Sequence, residues 1–311
     1  MIVDLPNTTI SKVSKQLVQI REQGGAVALG RVLTLVIQTN QDGLEAAIKA
    51  ANESSHEHPC RVIVLAEDTA AAGDSASEDR LDAQIRIGGD AGASEVIVLR
   101  AFGEVADDPE SLVTGLLLPD APVVAWWPGA APESVSESQI GRIATRRITD
   151  AAESTDHNAF LANLAKTYAP GDSDFAWTRL TLWRAQLAAI LDQPPYDAVT
   201  SVIVTGAEDS PSTDLLAAWL RLKLKVDVKL ERHARGNAVS GIRGVKLVRA
   251  SGDIEIVRNM PEVATLIQPT QPTREISLPR RSLRDCLSED MRRLDPDDLF
   301  GKVIKTFKSA K

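Results

Sequence analysis

Cysteine is nearly absent from this 311-residue chain: Cys60 and Cys286 are its two examples, too few and too far apart for a disulfide framework. Long hydrophobic runs are missing as well. Runs such as Val62 to Leu65 or Leu116 to Leu118 fall far short of the about 20 residues that span a bilayer. The start, M-I-V-D-L-P-N-T-T, has neither the basic opening nor the apolar core of an export signal, so a cytoplasmic protein is expected. No G-x-G-x-x-G follows a strand-like run, which removes the usual dinucleotide fingerprint. Neither G-x-x-x-x-G-K-[ST] nor G-x-S-x-G occurs, which removes the P-loop and the hydrolase nucleophile elbow. There are four histidines, none set in a recognisable acid–base group, and the paired carboxylates fit helix starts and solvated faces.

Two residual motifs come closest to chemistry. His56, His58 and Cys60 alternate, so an extended backbone would bring them to one face, but no fourth ligand completes a zinc set. A loop-to-strand junction explains them equally well, and neither a metal nor a cofactor is expected. The run Gly88 to Gly92 resembles a phosphate nest, but Asp90 at its centre would repel the ligand, so a loop is expected. Cys60 and Cys286 are redox candidates only if exposed and thiolate-like. Cys286 lies three residues after Leu283 on an apolar helical stripe, which suits a buried small hydrophobe.

What the chain does have is an ordinary globular balance, 43% hydrophobic and 25% charged, at a length that favours two domains. Its net charge of -8 is uneven: residues 62–120 carry 13 acidic and 3 basic side chains, whereas 221–249 carry 9 basic and 2 acidic. The basic stretch is interleaved with Leu and Val and holds no stacking aromatics. It therefore reads as a solvated face or a docking surface for an acidic protein, not a nucleic-acid interface.

Strand and helix patterns alternate from the start. A helix with Ile10, Val13, Leu17 and Ile20 on one face ends at Gly24-Gly25, and a β-type run from Ala26 to Thr39 follows. Next come a helix from Gly43 to Asn52, a strand from Arg61 to Ala66, a small polar loop from Thr69 to Asp79, and strands at 83–87 and 95–101. A helix from Pro109 to Leu118 then leads to a strand from Pro122 to Trp126. Beyond residue 150 the pattern is a helix with Phe160, Leu161 and Leu164, then one running from Trp177 to Leu191. A second strand–helix–strand unit spans Val199 to Leu230, and a hairpin turns at Ser251-Gly252. Two terminal helices close the chain, the last starting at Asp295-Pro296. The expectation is an α/β protein of two domains, 1–150 and 151–311, with mostly parallel or mixed sheets flanked by helices and a helical C-terminus.

Aromatics are scarce too, 4% of the residues, yet four of the five tryptophans fall in two short segments. Trp126 and Trp127 end a strand-like run, with Arg146 and Arg147 downstream. Trp177 and Trp183 flank Arg179 and precede Arg184, and with Leu180, Leu187, Ile190 and Leu191 they occupy one helical arc of about 140°. Arg184 falls inside that arc and Arg179 just beyond it, so each guanidinium must snorkel, pair or stack on tryptophan. Trp and Arg anchor protein interfaces and also fill cores. The candidates for partner contact are Trp126, Trp127, Arg146, Arg147, Arg179 and Arg184; a core role for the tryptophans stays open.

Five blocks carry a resemblance: H-P-C-R-V-I (58–63), L-L-L-P-D-A-P-V-V-A-W-W-P-G (116–129), R-R-I-T-D (146–150), G-D-S-D-F-A-W-T-R-L-T-L-W-R (171–184) and L-P-R-R-S-L-R-D-C-L-S-E-D-M-R-R-L-D-P-D (278–297). In order and over nearly the whole chain, they resemble the OpcA family of glucose-6-phosphate dehydrogenase assembly proteins. The resemblance implies a non-catalytic partner of glucose-6-phosphate dehydrogenase that promotes its active oligomer and tunes its substrate response at the entry of the oxidative pentose phosphate pathway. The alternative from the residues is a sugar-phosphate-binding enzyme or ligand sensor, with Arg146 and Arg147 as a phosphate clamp.

Overall fold

The computed structural model describes residues 1–24, 30–67, 79–87, 95–234 and 241–307. The expected helix stop at Gly25, the first residues of the β-type run, most of the loop from Thr69 and the Gly88–Gly92 run lie outside them. The chain forms two compact units: Met1–Asp150 with Ala169–Ser173 and Leu283–Asp297, and Ala151–Tyr168 with Asp174–Ser282 and Asp298–Lys311. The fold is α/β with two mixed sheets flanked by helices, as the alternation of patterns predicts.

The first unit is built on β1 (Ile2–Leu5), β2 (Leu33–Asn40), β3 (Cys60–Glu67), β4 (Arg80–Ile87), β5 (Glu95–Phe102), β6 (Val123–Trp126), β7 (Arg146–Thr149) and β8 (Asp172–Asp174), in spatial order 1-4-5-3-2-6-7-8. Strands β5, β3, β2, β6 and β7 run parallel, and β4 and β1 extend the sheet antiparallel. The central strands β2 and β3 are buried along almost their whole length, which is why they read as unbroken apolar runs; β4, nearer the edge, alternates. Paired residues Ile85, Ile97, Ile63, Val36 and Ala125 make one row across the sheet. On this face Val13, Leu17 and Ile20 of α1 (Ile10–Gly24) complete the core. Between β2 and β3 runs α2 (Gln41–Ser54), started by the Asn40 side chain accepting from the Gly43 amide at 2.9 Å.

The helix after Pro109, α3 (Pro109–Thr114), stops four residues short of the expected Leu118. A Cβ at Gly115 would meet Ile10 Cγ2 at 2.6 Å, so glycine is what lets α1 approach here. A short helix, α4 (Gln139–Ile143), precedes β7.

The second unit carries β9 (Val199–Ala207), β10 (Asp227–His233), β11 (Ile242–Arg249), β12 (Ile254–Arg258), β13 (Val263–Ile267) and β14 (Arg274–Ser277), ordered 10-9-11-12-13-14. β9 and β10 are parallel and the rest form an antiparallel meander, with the hairpin between β11 and β12 placed as expected. The crossover from β9 to β10 is α8 (Pro211–Leu224), whose residues Leu215 to Leu220 are all buried. Around it pack α5 (His157–Thr167), α6 (Phe175–Thr178), α7 (Thr181–Leu191) and α10 (Asp298–Thr306). The single helix expected from Trp177 to Leu191 is two helices. The Leu180 amide reaches back to the Trp177 carbonyl at 2.9 Å, and the Thr181 hydroxyl takes the Thr178 carbonyl at 3.0 Å, tightening the turn between them. The last helix starts at Asp298, beyond Pro296.

The described part of the basic stretch at 221–249 is spread over α8, β10 and β11, where Arg232 meets Asp214, Lys229 meets Glu231 at 2.9 Å, and Lys246 meets Asp253 and Glu255. No helix among the described residues is long and apolar enough to cross a membrane.

In the first unit, Glu95 opens β5 with no exposure to solvent. Arg21 grips its carboxylate at 2.9 and 3.0 Å, Arg61 donates at 2.8 Å, and Arg31 stands 3.7 Å away. Burial alone raises this carboxyl, but the hydrogen bond from Arg21 and the charges of Arg61, Arg31 and Arg21 outweigh it, so it stays below the ordinary value. The associated stability is present above the unfolded carboxyl's pKa of about 4.3 and is lost as pH falls through the lower folded value. Glu95→Gln is expected to cost about 3–5 kcal/mol at pH 7, since it strands buried guanidinium, and to flatten the loss of stability below about pH 4.3. Urea denaturation across pH 3–7 measures both.

Candidate functional site

The second unit has a cleft of about 330 Å³ beside the carboxyl end of β9, where α8 begins. Open α/β sheets bind ligands at this position. The chain turns sharply here: the Ser210 hydroxyl caps Thr213, accepting from its amide at 3.3 Å, and Pro211 presets the first helical φ. Ser212 donates to the Ala176 carbonyl at 2.9 Å, and Gly241, at φ +79°, has open space where a side chain would stand.

Arg179, Arg258, Arg280 and Arg281 line the cleft, with Asp209 the one carboxylate among the lining residues. Arg281 is anchored by the Thr178 carbonyl at 3.0 Å. Arg258, 5% exposed, ends the inward register of β12 after Ile254 and Ile256. Its Nη2 donates to the Leu278 carbonyl at 2.7 Å, its guanidinium stands 5.1 Å from the Trp183 ring centre, and its Nε has no acceptor. Burial, reinforced by the charge of Arg280, pushes the Arg258 pKa down to about 10. Among the described residues the lining holds no histidine, cysteine, lysine or glutamate. The arrangement can hold an anion.

The six candidate contact residues divide sharply. Trp126 and Trp127 are both buried, and Trp127 donates from Nε1 to Gln38 at 3.0 Å within the core of the first unit. Arg146 and Arg147 leave opposite faces of β7 and are buried too. Arg146 is bonded to Asp290 of α9 (Leu283–Arg292) and donates to the Asp295 carbonyl at 3.1 Å. Arg147 donates to Asp172 at 2.5 Å and to the carbonyls of Ala144 and Pro170. With both guanidiniums committed in this way, the pair does not form an open phosphate clamp. Gly171, at φ +99°, sits where a Cβ would come within 2.6 Å of the Thr145 carbonyl, so glycine is needed for Asp172 to reach Arg147.

Trp177 and Trp183 are core residues of the second unit, Trp177 packing against Phe300 with ring centres 5.7 Å apart. Arg184 resolves its place in the apolar arc by stacking 3.8 Å over Trp177. Arg179, half-buried, lines the cleft. Cys60 and Cys286 are fully buried and in no disulfide, without the exposure that a redox sensor uses. Among the described residues no three His, Cys, Asp or Glu side chains gather as a metal site.

Residues 51–166 match the family model described as the glucose-6-phosphate dehydrogenase subunit N-terminal domain, and residues 170–304 match its C-terminal counterpart. The chain belongs to the OpcA family. No curated protein sequence matches it. Solved structures with a similar fold include the oxidoreductase from Sinorhizobium meliloti (TM-score 0.46, 9% identity, 88% of this chain and 86% of that one). Another is myo-inositol dehydrogenase from Lactobacillus casei in complex with NAD(H) and myo-inositol (TM-score 0.45, 11% identity, 88% and 91%). At such scores neither likeness carries a functional argument.

Arg280 and Arg281 fall in the 278–297 block that carries the family resemblance, and Arg258 falls in none of the five blocks. A signal for Arg258 existed: an arginine in the inward register of an alternating strand must find a partner or a ligand. For the buried pairs the expectation is structural. Arg146→Ala and Arg147→Ala should each lose about 3–5 kcal/mol in chemical denaturation, because each leaves a buried carboxylate unpaired. A loss below about 1 kcal/mol would mark the pair as energetically idle.

Proposed function

We propose that this chain is a non-catalytic assembly factor and activator of glucose-6-phosphate dehydrogenase, acting at the entry of the oxidative pentose phosphate pathway. The observation that carries the reading is the pair of family matches, both described as domains of a subunit of that enzyme.

The mechanism follows from linkage. A partner shifts an enzyme between states only as far as it binds one state more tightly than the other, and coupling of this kind is commonly about 5–150-fold. Of the six candidate contacts, Arg179 and Arg184 keep solvent-exposed area and are the ones available to touch the dehydrogenase. Trp126, Trp127, Arg146 and Arg147 act from beneath by fixing the shape of the first unit.

Dehydrogenase kinetics and mass are to be measured with and without a saturating amount of this chain. The expected result is a rise in maximal rate or a fall of about five-fold or more in the apparent KM for glucose 6-phosphate, with a shift in assembly state. If rate, KM and mass all stay unchanged, the reading fails.

A further inference from the structure

We propose that the cleft at the start of α8 is a binding site for a small phosphomonoester, with Arg258 as its buried anion-binding residue. This goes beyond the role in dehydrogenase assembly and concerns the chain alone.

Charge is the first argument. Four guanidiniums face one carboxylate across the cleft. Arg258 is the decisive one: it is 5% exposed, it donates to one backbone carbonyl and stands over the face of Trp183, and among the described residues no carboxylate pairs with it. Three other buried guanidiniums stand beside acid, Arg61 with Glu95, Arg146 with Asp290 and Arg147 with Asp172, while Arg249 donates to the Pro195 carbonyl at 3.2 Å and lines no part of this cleft. A buried cation without a counter-ion is costly and is tolerated where an anion completes it. The Arg258 side chain lines the cleft, so an anion held there would stand against its guanidinium.

Geometry is the second argument. The first turn of α8, a 14-residue helix, lines the same cleft through Ser210, Pro211 and Ser212, so the positive end of its dipole adds to the arginines. Planar guanidinium forks match the oxygens of a phosphate and can bind it two at a time. Size selects the class of ligand. A cleft of about 330 Å³ lies at the lower end of small-molecule sites, about 300–1,000 Å³, and takes a sugar- or polyol-sized phosphate. Pro211, Trp183 and Pro279 are among the apolar side chains of the lining.

The test is calorimetric titration of the full chain, without the dehydrogenase, using inorganic phosphate, glucose 6-phosphate and glucose. Saturable binding of glucose 6-phosphate, competed by inorganic phosphate and absent for glucose, is expected. Arg258→Met should weaken it at least ten-fold while leaving the melting temperature of the unliganded protein equal or higher, because the substitution removes an uncompensated buried charge. Arg280→Gln, at an exposed position, should weaken binding several-fold and gives a second reading if Arg258→Met folds poorly. Two results overturn the proposal: no saturable binding of either phosphate, or binding unaffected by both variants. Neither bears on whether the chain activates the dehydrogenase, which is read in a separate assay.

Discussion

A guanidinium removed from water costs several kcal/mol unless acceptors and negative charge replace its hydration, and this chain buries at least five of them. Much of the architecture satisfies that constraint. Glu95, at the head of β5, gathers Arg21 and Arg61 and ties α1 to the neighbouring strand β3. Arg146 and Arg147, adjacent on β7, send one charge to each side of the sheet, where Asp290 on α9 and Asp172 of β8 receive them. The Ser173 hydroxyl donates to the same Asp290 at 2.7 Å, so the last strand of the sheet and α9 share one carboxylate. Hydrophobic burial supplies the bulk of the driving force, and these pairs specify which elements meet.

The fold was legible wherever burial follows a simple period. The unbroken apolar runs of β2, β3 and β5, the buried crossover helix α8 and the β11–β12 hairpin all show in the sequence, because there side chains meet only other apolar groups. β7 and β8 did not show, since R-R-I-T and D-S-D carry charge where a buried strand ordinarily carries valine. Their partners lie far along the chain, so no local window contains both halves of the pattern. The break between α6 and α7 was hidden for a related reason: threonine hydroxyls, and not a glycine or proline, tighten that turn.

Of the six candidate contacts, Trp126, Trp127, Arg146 and Arg147 are buried, and Arg179 and Arg184 are half-buried. Tryptophan and arginine clusters mark either a surface or a core, and composition cannot tell these apart. The blocks 146–150 and 171–184 include residues that meet in space: Arg147 reaches Asp172, while its amide donates to the Gly171 carbonyl at 2.9 Å. Asp174 then caps α6 by accepting from the Ala176 amide at 2.8 Å. These blocks are thus largely a scaffold. The basic cleft comes instead from arginines scattered over α6, β12 and the segment before α9, which tertiary structure alone collects.

The first unit is not contiguous in the chain, and that has a consequence in time. Asp290 follows Arg146 by 144 residues. At about 5–20 residues per second of synthesis, about 7–30 s separate the two on the ribosome. During that interval β7 emerges without its carboxylate, and the flank of α2 against which α9 packs stays open to water. The N-terminal unit is therefore completed late, after the strands of the second sheet have been made, and a chain interrupted before residue 283 would carry an N-terminal unit that lacks its own last helix.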